Sequence, residues 1–349
     1  MVSAFAARGA GVSEIGRVRE TNQDRILLRD RLVRGAALYA VADGLGGHAA
    51  GGVASTVAVE TLVREVPALL ERGLTPAEAL ALAVRHANAD INAAAASPDR
   101  SGMATTCTAA LIAGQAVVLA HVGDSRAYLL RGADIRQLTV DHSVVAEMVR
   151  HGTLSPAAAG GHAQRHVLTR ALGTASDVQI DVLAVQLRPR DTLLLASDGV
   201  HSAVTPEEMA DIVRATREAG EACRILVGLA NARGGTDNAS VVLVRVRPKW
   251  LDRVGRAFTA AALAAFIAAG VGAYRLEHAY FLGVVGDRVA VMRGMPARLL
   301  GVPLFSAVRV TDVAVGQIAP AYRPQLLQGI PARDPADAQA LLQDLLHRP

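Results

Sequence analysis

Aromatic side chains are scarce, at 3% of the 349 residues, and no basic stripe interleaves with them. The net charge is only +4, so nucleic acid is not an expected partner. Cysteine is nearly absent. Cys107 and Cys223 stand alone in apolar surroundings and read as buried thiols in a reducing compartment. No CxxC pair offers a zinc site, and neither thiol has an arginine six positions later, which removes the thiolate route to phosphate-ester cleavage. No secretory leader is expected, because the apolar stretch in MVSAFAARGAG is short and broken by Arg8. VADGLGGHAAGG is not a nucleotide loop. No GxxxxGK[ST] follows, and the GxGxxG frame from Gly44 puts Ala49 in the last glycine position.

Apolar residues are plentiful, at 51% against 19% charged, enough for a large core. Three apolar runs each end on an aspartate: ALYAVAD at Asp43, VVLAHVGD at Asp124 and TLLLASD at Asp198. Asp237 opens a further run in GGTDNASVVLVRV, and Asp24 closes RETNQD. One strand ending in Asp-Gly is an ordinary turn. Several strand ends bearing carboxylates point to hard cations held by oxygen.

Strands are expected around 25–28, 37–42, 106–113, 116–121, 127–131, 178–187, 192–196 and 240–246. A helix is expected from Ala49 to about Val66, ended by Pro67, and another from Thr75-Pro76 to about Ala95. Further helices open at Pro206 and at Glu218. Short turns such as Gly114-Gln115 and Gly132-Ala133 join the middle strands. That spacing implies antiparallel hairpins with helices outside, not a Rossmann sheet.

The mean hydropathy of +0.29 prompts a search for a membrane segment. Ala257–Tyr274 carries no charge over a bilayer-spanning length. Phe258, Leu263, Phe266, Ile267 and Val271 together favour insertion by about 1.5–3 kcal/mol. Arg245, Arg247, Lys249, Arg253 and Arg256 precede it, against Arg275 alone just after, so the N-terminal part is expected in the cytoplasm. The competing reading is an alanine-rich helix packed in a soluble core. Beyond Arg275, FLGVV-GD-RVAVMRG reads as a hairpin, LFSAVRVTDVAV as a strand, and Asp334-Pro335 as the start of a last helix through Leu346.

The ordered set VRETNQD, VADGLGGHAAG, HVGDSRAYLL, LTVDHS, LTRALG, LLLASDGV and GGTDNASVVLV resembles the bacterial branch of the metal-dependent PPM, or type-2C, serine/threonine protein phosphatases. The resemblance covers residues 1–247. The later segments also resemble a membrane-anchored subgroup that opposes serine/threonine kinases. The resemblance implies an α+β fold: an αββα sandwich of two antiparallel sheets flanked by helices. A basic juxtamembrane segment and transmembrane helix (248–275, with 257–274 spanning) and a small extracytoplasmic α+β module (276–349) would follow. It implies two core Mn²⁺ or Mg²⁺ ions and a weaker third. Asp43 would bridge the core ions, with the Gly44 carbonyl on the second and Asp198 and Asp237 on the first. Asp24 would act through water, and Asp124 would hold the third ion with a share from Asp198. Arg19 would grip the phosphate as a bidentate fork. A hydroxide bridging the ions would attack phosphorus in line, with no phosphoenzyme. His48 is the candidate acid for the leaving serine or threonine oxygen.

Other polar residues have structural readings. Ser125 and Arg126 would brace the third-ion loop. Asp141, His142 and Ser143 would fix a turn opening a helix, and Asn238 would orient Asp237. Thr105 and Thr106 are candidates to support metal-bound water, while His121 and His166 read as packed structural histidines. The chain departs from the family pattern at Ala157, Ala158 and Ala159 in the flap region, at His166 in place of asparagine, and at Ala104 in place of glycine. These departures bear on substrate preference. Two alternatives to catalysis are a membrane-anchored pseudophosphatase that binds phosphoproteins without turnover and a cell-envelope sensor acting through its outer module.

Overall fold

The computed structural model describes residues 5–46 and 50–347. Its contacts divide the chain into two units, Met1–Leu251 and Asp252–Pro349. The strands of the first unit begin with β1 (Phe5–Glu14), β2 (Arg25–Arg29), β3 (Ala37–Ala42), β4 (Gly44–Leu45), β5 (Ala104–Thr105) and β6 (Cys107–Ala113). They continue as β7 (Ala116–Val122), β8 (Arg126–Arg131), β9 (Asp134–Gln137), β10 (Asp181–Gln186), β11 (Thr192–Ala196) and β12 (Ala239–Pro248). The helices are α1 (Ala50–Glu71), α2 (Pro76–Ala94), α3 (Val144–Arg150), α4 (Pro156–Ala159), α5 (Asp198–His201), α6 (Pro206–Ala215) and α7 (Ala219–Ala232).

Two five-stranded sheets result, in the orders β1-β12-β11-β8-β9 and β10-β7-β6-β3-β2. Their pairings are antiparallel. The β6–β7 and β8–β9 turns rest on Gly114 and Gly132, at φ of 65° and 61°, where a side chain would be strained. Alternation along the strands separates three core layers. Leu38 and Leu111 pack with Leu62, Val66, Leu80 and Val84 of α1 and α2. Tyr39, Leu119, Leu129, Leu195 and Val244 fill the space between the sheets. Leu194 and Leu243 meet Met209 and Leu226 of α6 and α7. The unit is an αββα sandwich. Thr75 and Thr205 each cap a helix through a reciprocal bond with Glu78 and Glu208, which sets the starts of α2 and α6.

Two features differ from the sequence reading. Helix α1 does not stop at Pro67 but runs to Glu71. Proline inside a helix costs about 3 kcal/mol, and Leu69 and Leu70 beyond it are buried, each contributing roughly 1.5–3 kcal/mol. Strand β1 was not expected, because Gly9 and Gly11 weaken strand propensity. Here they make room instead. A Cβ on Gly9 would lie 2.4 Å from Tyr39 Cε1, and the Tyr39 hydroxyl and the Gly9 N–H both donate to Asp30 Oδ1, at 2.8 and 2.9 Å. Gly9→Ala should therefore lower stability by about 1–3 kcal/mol through overpacking. A denaturant midpoint equal to that of the parent would contradict this.

Helix α8 (Lys249–His278) leads into the second unit. Its stretch Ala257–Tyr274 has a mean hydropathy of 1.8 and none of it is buried. Phe258 and Phe266 are 78% and 76% exposed. The packed-core reading of this helix is thereby overturned, and it is a candidate membrane-spanning helix. The module after it contains β13 (Tyr280–Val285), β14 (Arg288–Leu299), β15 (Val302–Ala314), α9 (Arg323–Gln328), β16 (Ile330–Ala332) and α10 (Pro335–His347). Its sheet runs β15-β14-β13-β16, over a core of Leu282, Val291, Ile318, Leu326 and Leu342.

Candidate metal centre

The strands deliver their aspartates to one place. Asp43 follows β3, Asp124 follows β7, Asp198 follows β11, Asp237 precedes β12 and Asp24 precedes β2. Asp43 interacts electrostatically with the other four, and burial together with their repulsion pushes its pKa well above the usual carboxylate range. Burial, then the charge of Asp198, raises Asp24 to about 7. Burial, then Asp198 and Asp141, raises Asp124 to about 7. Burial also works to raise Asp198, but His166 and His201 outweigh it and hold its pKa low. Among the described residues no three His, Cys, Asp or Glu side chains close into a tight ion cage. The carboxylates are neighbours at Coulombic range.

The donor set fits hard divalent cations. It is made of carboxylate oxygens, and Asp24 Oδ1 and Asp198 Oδ1 are buried with no hydrogen-bond partner. Gly44 has a steric reason to be glycine. A Cβ there would lie 2.2 Å from the Gly51 carbonyl oxygen and 2.7 Å from that of Gln23.

The supporting bonds explain how the set is held. The Asp43 N–H donates to Thr106 Oγ1 (2.9 Å), and the Asp43 carbonyl accepts from the Thr106 N–H (2.8 Å) and Thr105 Oγ1 (2.9 Å). The paired threonines thus clamp the backbone of Asp43. Thr106 Oγ1 also bonds Ser125 Oγ at 2.8 Å, linking the Asp43 and Asp124 loops. Ser197 Oγ donates to Asp24 Oδ2 at 2.8 Å, joining the two sheets. His201 Nε2 lies 3.0 Å from the Asp124 carbonyl oxygen. Arg126 binds both oxygens of Asp141 through Nε, at 3.0 and 3.1 Å, and Ser143 caps α3 by accepting from the Ala146 N–H.

Arg19 sits at this centre, with Nη2 2.7 Å from Asp237 Oδ2. The adjacent Asn238 does more than orient Asp237. Its Nδ2 donates to the carbonyls of Ile15 (2.9 Å) and Thr21 (3.0 Å), and its Oδ1 accepts from the Gln23 N–H (2.8 Å). Asn238 therefore fixes both ends of the loop that carries Arg19. Each bond contributes about 1 kcal/mol net. Asn238→Ala should cut activity by roughly 10- to 100-fold while the protein stays folded, because a 1.4 kcal/mol loss of positioning is tenfold in rate. Unchanged turnover with an intact melting transition would count against this role.

His121 is packed as expected, bonded to Thr108 Oγ1 at 2.9 Å and to the Val140 carbonyl at 3.1 Å. His166 is not. Its side chain is 56% exposed, and Nδ1 lies 3.6 Å from Asp198 Oδ2. The segment Thr153–Ser155 and α4 are mostly exposed, and His166 approaches Asp198 from this exposed region instead of from the core. His48 lies outside the described residues. Sequence reasoning missed His201, which follows LLLASDGV by one residue and carried no motif of its own.

The chain matches the family described as Protein phosphatase 2C over residues 11–232. It is 40% identical over 237 residues to serine/threonine phosphatase stp of Listeria welshimeri, a match covering 66% of this chain and 92% of that one. It is 29% identical over 425 aligned positions to serine/threonine protein phosphatase PstP of Mycobacterium tuberculosis, covering 99% of this chain and 80% of that one. The crystal structure of the PstP catalytic domain in complex with two manganese ions superposes with a TM-score of 0.62 at 35% identity, covering 70% of this chain and 99% of that one. With the sandwich, the five carboxylates and these matches together, the chain belongs to the protein phosphatase 2C family of serine/threonine phosphatases.

Proposed function

We propose that this chain hydrolyses phosphoserine and phosphothreonine in proteins with Mn²⁺ or Mg²⁺ bound between the sheet ends. The observation that carries the reading is the convergence of five aspartates whose mutual repulsion calls for a cation. When bound, the ions would supply a water of lowered pKa and polarise the phosphoryl oxygens. Asp43 and Gly44 would hold the core pair, with Asp198 and Asp237 completing it and Asp24 orienting water. Asp124, with Asp198, would hold a weaker third ion. The guanidinium of Arg19 would orient the phosphate, since its planar fork matches two phosphoryl oxygens. Its bond to Asp237 keeps it directed at the site beforehand. His48 would protonate the leaving oxygen.

We assign residues 1–247 to catalysis, 248–275 to the membrane anchor and 276–349 to an outer module. The basic flank before the helix supports a cytoplasmic catalytic part by the positive-inside rule. A membrane serine/threonine kinase is the proposed opposing activity. Phosphate release from a phosphothreonine peptide tests the reading: it should require Mn²⁺, stop on adding EDTA, and be absent in Asp198→Ala. Folded, Mn²⁺-loaded protein that releases no phosphate would leave the phosphoprotein-binding and envelope-sensor alternatives.

A further inference from the structure

The outer module carries an apolar arm whose tip its own core does not use. Past Arg293, which pairs with Tyr280 at the start of β13, β14 has no β13 partner. It continues with β15 as a two-stranded ribbon, from Gly294 opposite Phe305 to Leu299 opposite Val302. The ribbon sequence GMPARLLGVPLF holds one charge, Arg298. At its tip Leu299, Leu300 and Val302 are 63%, 98% and 64% exposed. Leu300 and Gly301 have φ of 50° and 85°. A two-residue hairpin loop with positive φ favours Asn, Asp or Gly, and any of them would also suit water. Leucine is the strained and poorly solvated choice, and exposed apolar clusters of this kind mark interaction surfaces.

The direction of the ribbon identifies its partner. Helix α8 delivers the chain to one end of the strands at Tyr280, where the Gly294 N–H donates to the Ala279 carbonyl (2.8 Å) and Arg293 Nε to that of Glu277 (2.6 Å). Because β14 runs antiparallel to β13, the ribbon projects beyond that same end. Tyr274, the end of the apolar stretch, precedes Tyr280 by six residues, about 9 Å of helix. From Phe305 to Val302 the ribbon runs three residue steps, about 10 Å at strand spacing, and the Leu300–Gly301 turn beyond it carries the tip past that gap. A Cβ on Gly329 would lie 2.8 Å from Pro296 Cβ, so the base of the ribbon is closely packed.

We propose that the tip Leu299–Val302 inserts into the outer face of the same bilayer that α8 crosses, with Arg298 at the headgroups. The proposal rests on the reading of Ala257–Tyr274 as a span. An apolar tip with one flanking guanidinium suits the headgroup boundary, where the arginine stem lies along apolar surface and its head stays wet.

The test uses the full chain in vesicles of phosphatidylethanolamine and phosphatidylglycerol, carrying an environment-sensitive fluorophore on Leu300→Cys. Cys107 and Cys223 are buried, and burial raises their thiols to about 12 and about 11, so the introduced thiol is labelled selectively. Ala264→Cys in the span and Val285→Cys at the far end of β13 are the reference positions. The expected result is blue-shifted emission from 300 and its loss to nitroxide-bearing lipids, as for 264, with 285 unaffected. Quenching at 264 but water-like emission at 300 overturns the insertion and leaves the span intact. A blue shift at 300 without lipid quenching assigns the tip to a protein contact and also overturns it. No quenching at 264 removes the span and the proposal together.

Discussion

Asp43→Asn should lose roughly 10³-fold in Mn²⁺-dependent turnover, since metal stabilisation of the transition state is worth several kcal/mol and each 1.4 kcal/mol is tenfold. The same substitution should raise the melting temperature in EDTA. Burial and four neighbouring aspartates raise the Asp43 pKa and so penalise its carboxylate in the folded parent, a cost that the unfolded chain does not bear. The amide is neutral in both states. A gain of about 1–3 kcal/mol, ordinary for one site, corresponds to roughly 2–4 °C per kcal/mol in a domain of this size. Mn²⁺ should stabilise the parent strongly and the variant little. Thermal melts with and without metal, beside phosphate release, check all three statements. Loss of activity with a lower melting temperature in EDTA would mean that Asp43 is structural.

The second large effect concerns pH. Asp24 and Asp124 are each raised to about 7 in the folded protein, against about 3.9 when unfolded. Between those limits the native state binds more protons, so metal-free stability falls as pH rises from about 4 to 7 and levels off above. The two groups contribute a few kcal/mol over that window, less than their separate sum because both also face Asp198. Below it the sign reverses. Glu208, held by Arg233 at about 2, loses its contribution as pH drops through its own range. Saturating Mn²⁺ should flatten the slope between pH 4 and 7, because the ions bind the deprotonated carboxylates. A melting temperature in EDTA that climbs across this window would refute the electrostatic account of the centre.

Much of the sandwich was legible because its strands are nearly continuous apolar runs bounded by turn residues. β3 and β11 fall on the expected residues, and every aspartate read from a strand end lies at the centre. Three kinds of feature were not legible. Gly9 and Gly11 look like strand breakers until the ring of Tyr39 is seen to need the space. Pro67 looks like a helix stop until the burial of Leu69 and Leu70 is counted. The work of Asn238, His201 and His166 depends on loops far away in sequence: Asn238 reaches residues 15–23, and His166 approaches Asp198 from a segment without regular structure. Local patterns carry no trace of such contacts; the clamp on Asp43 is equally distant in sequence, and only the pairing of Thr105 with Thr106 hinted at it.

The strand order also constrains how the enzyme is made. β12 lies between β1 and β11, so the first strand of the chain has no partner until residues 239–248 exist. Asp237, needed at the centre, arrives only just before it. A ribosome therefore exposes more than 200 residues before the first sheet can close, and α8 begins at the next residue, Lys249. Pairings this distant in sequence are slow to form and leave an edge open meanwhile. Newly made chains should stay catalytically silent until the candidate membrane helix has followed the last strand out. Phosphatase output then tracks completed protein, never nascent fragments.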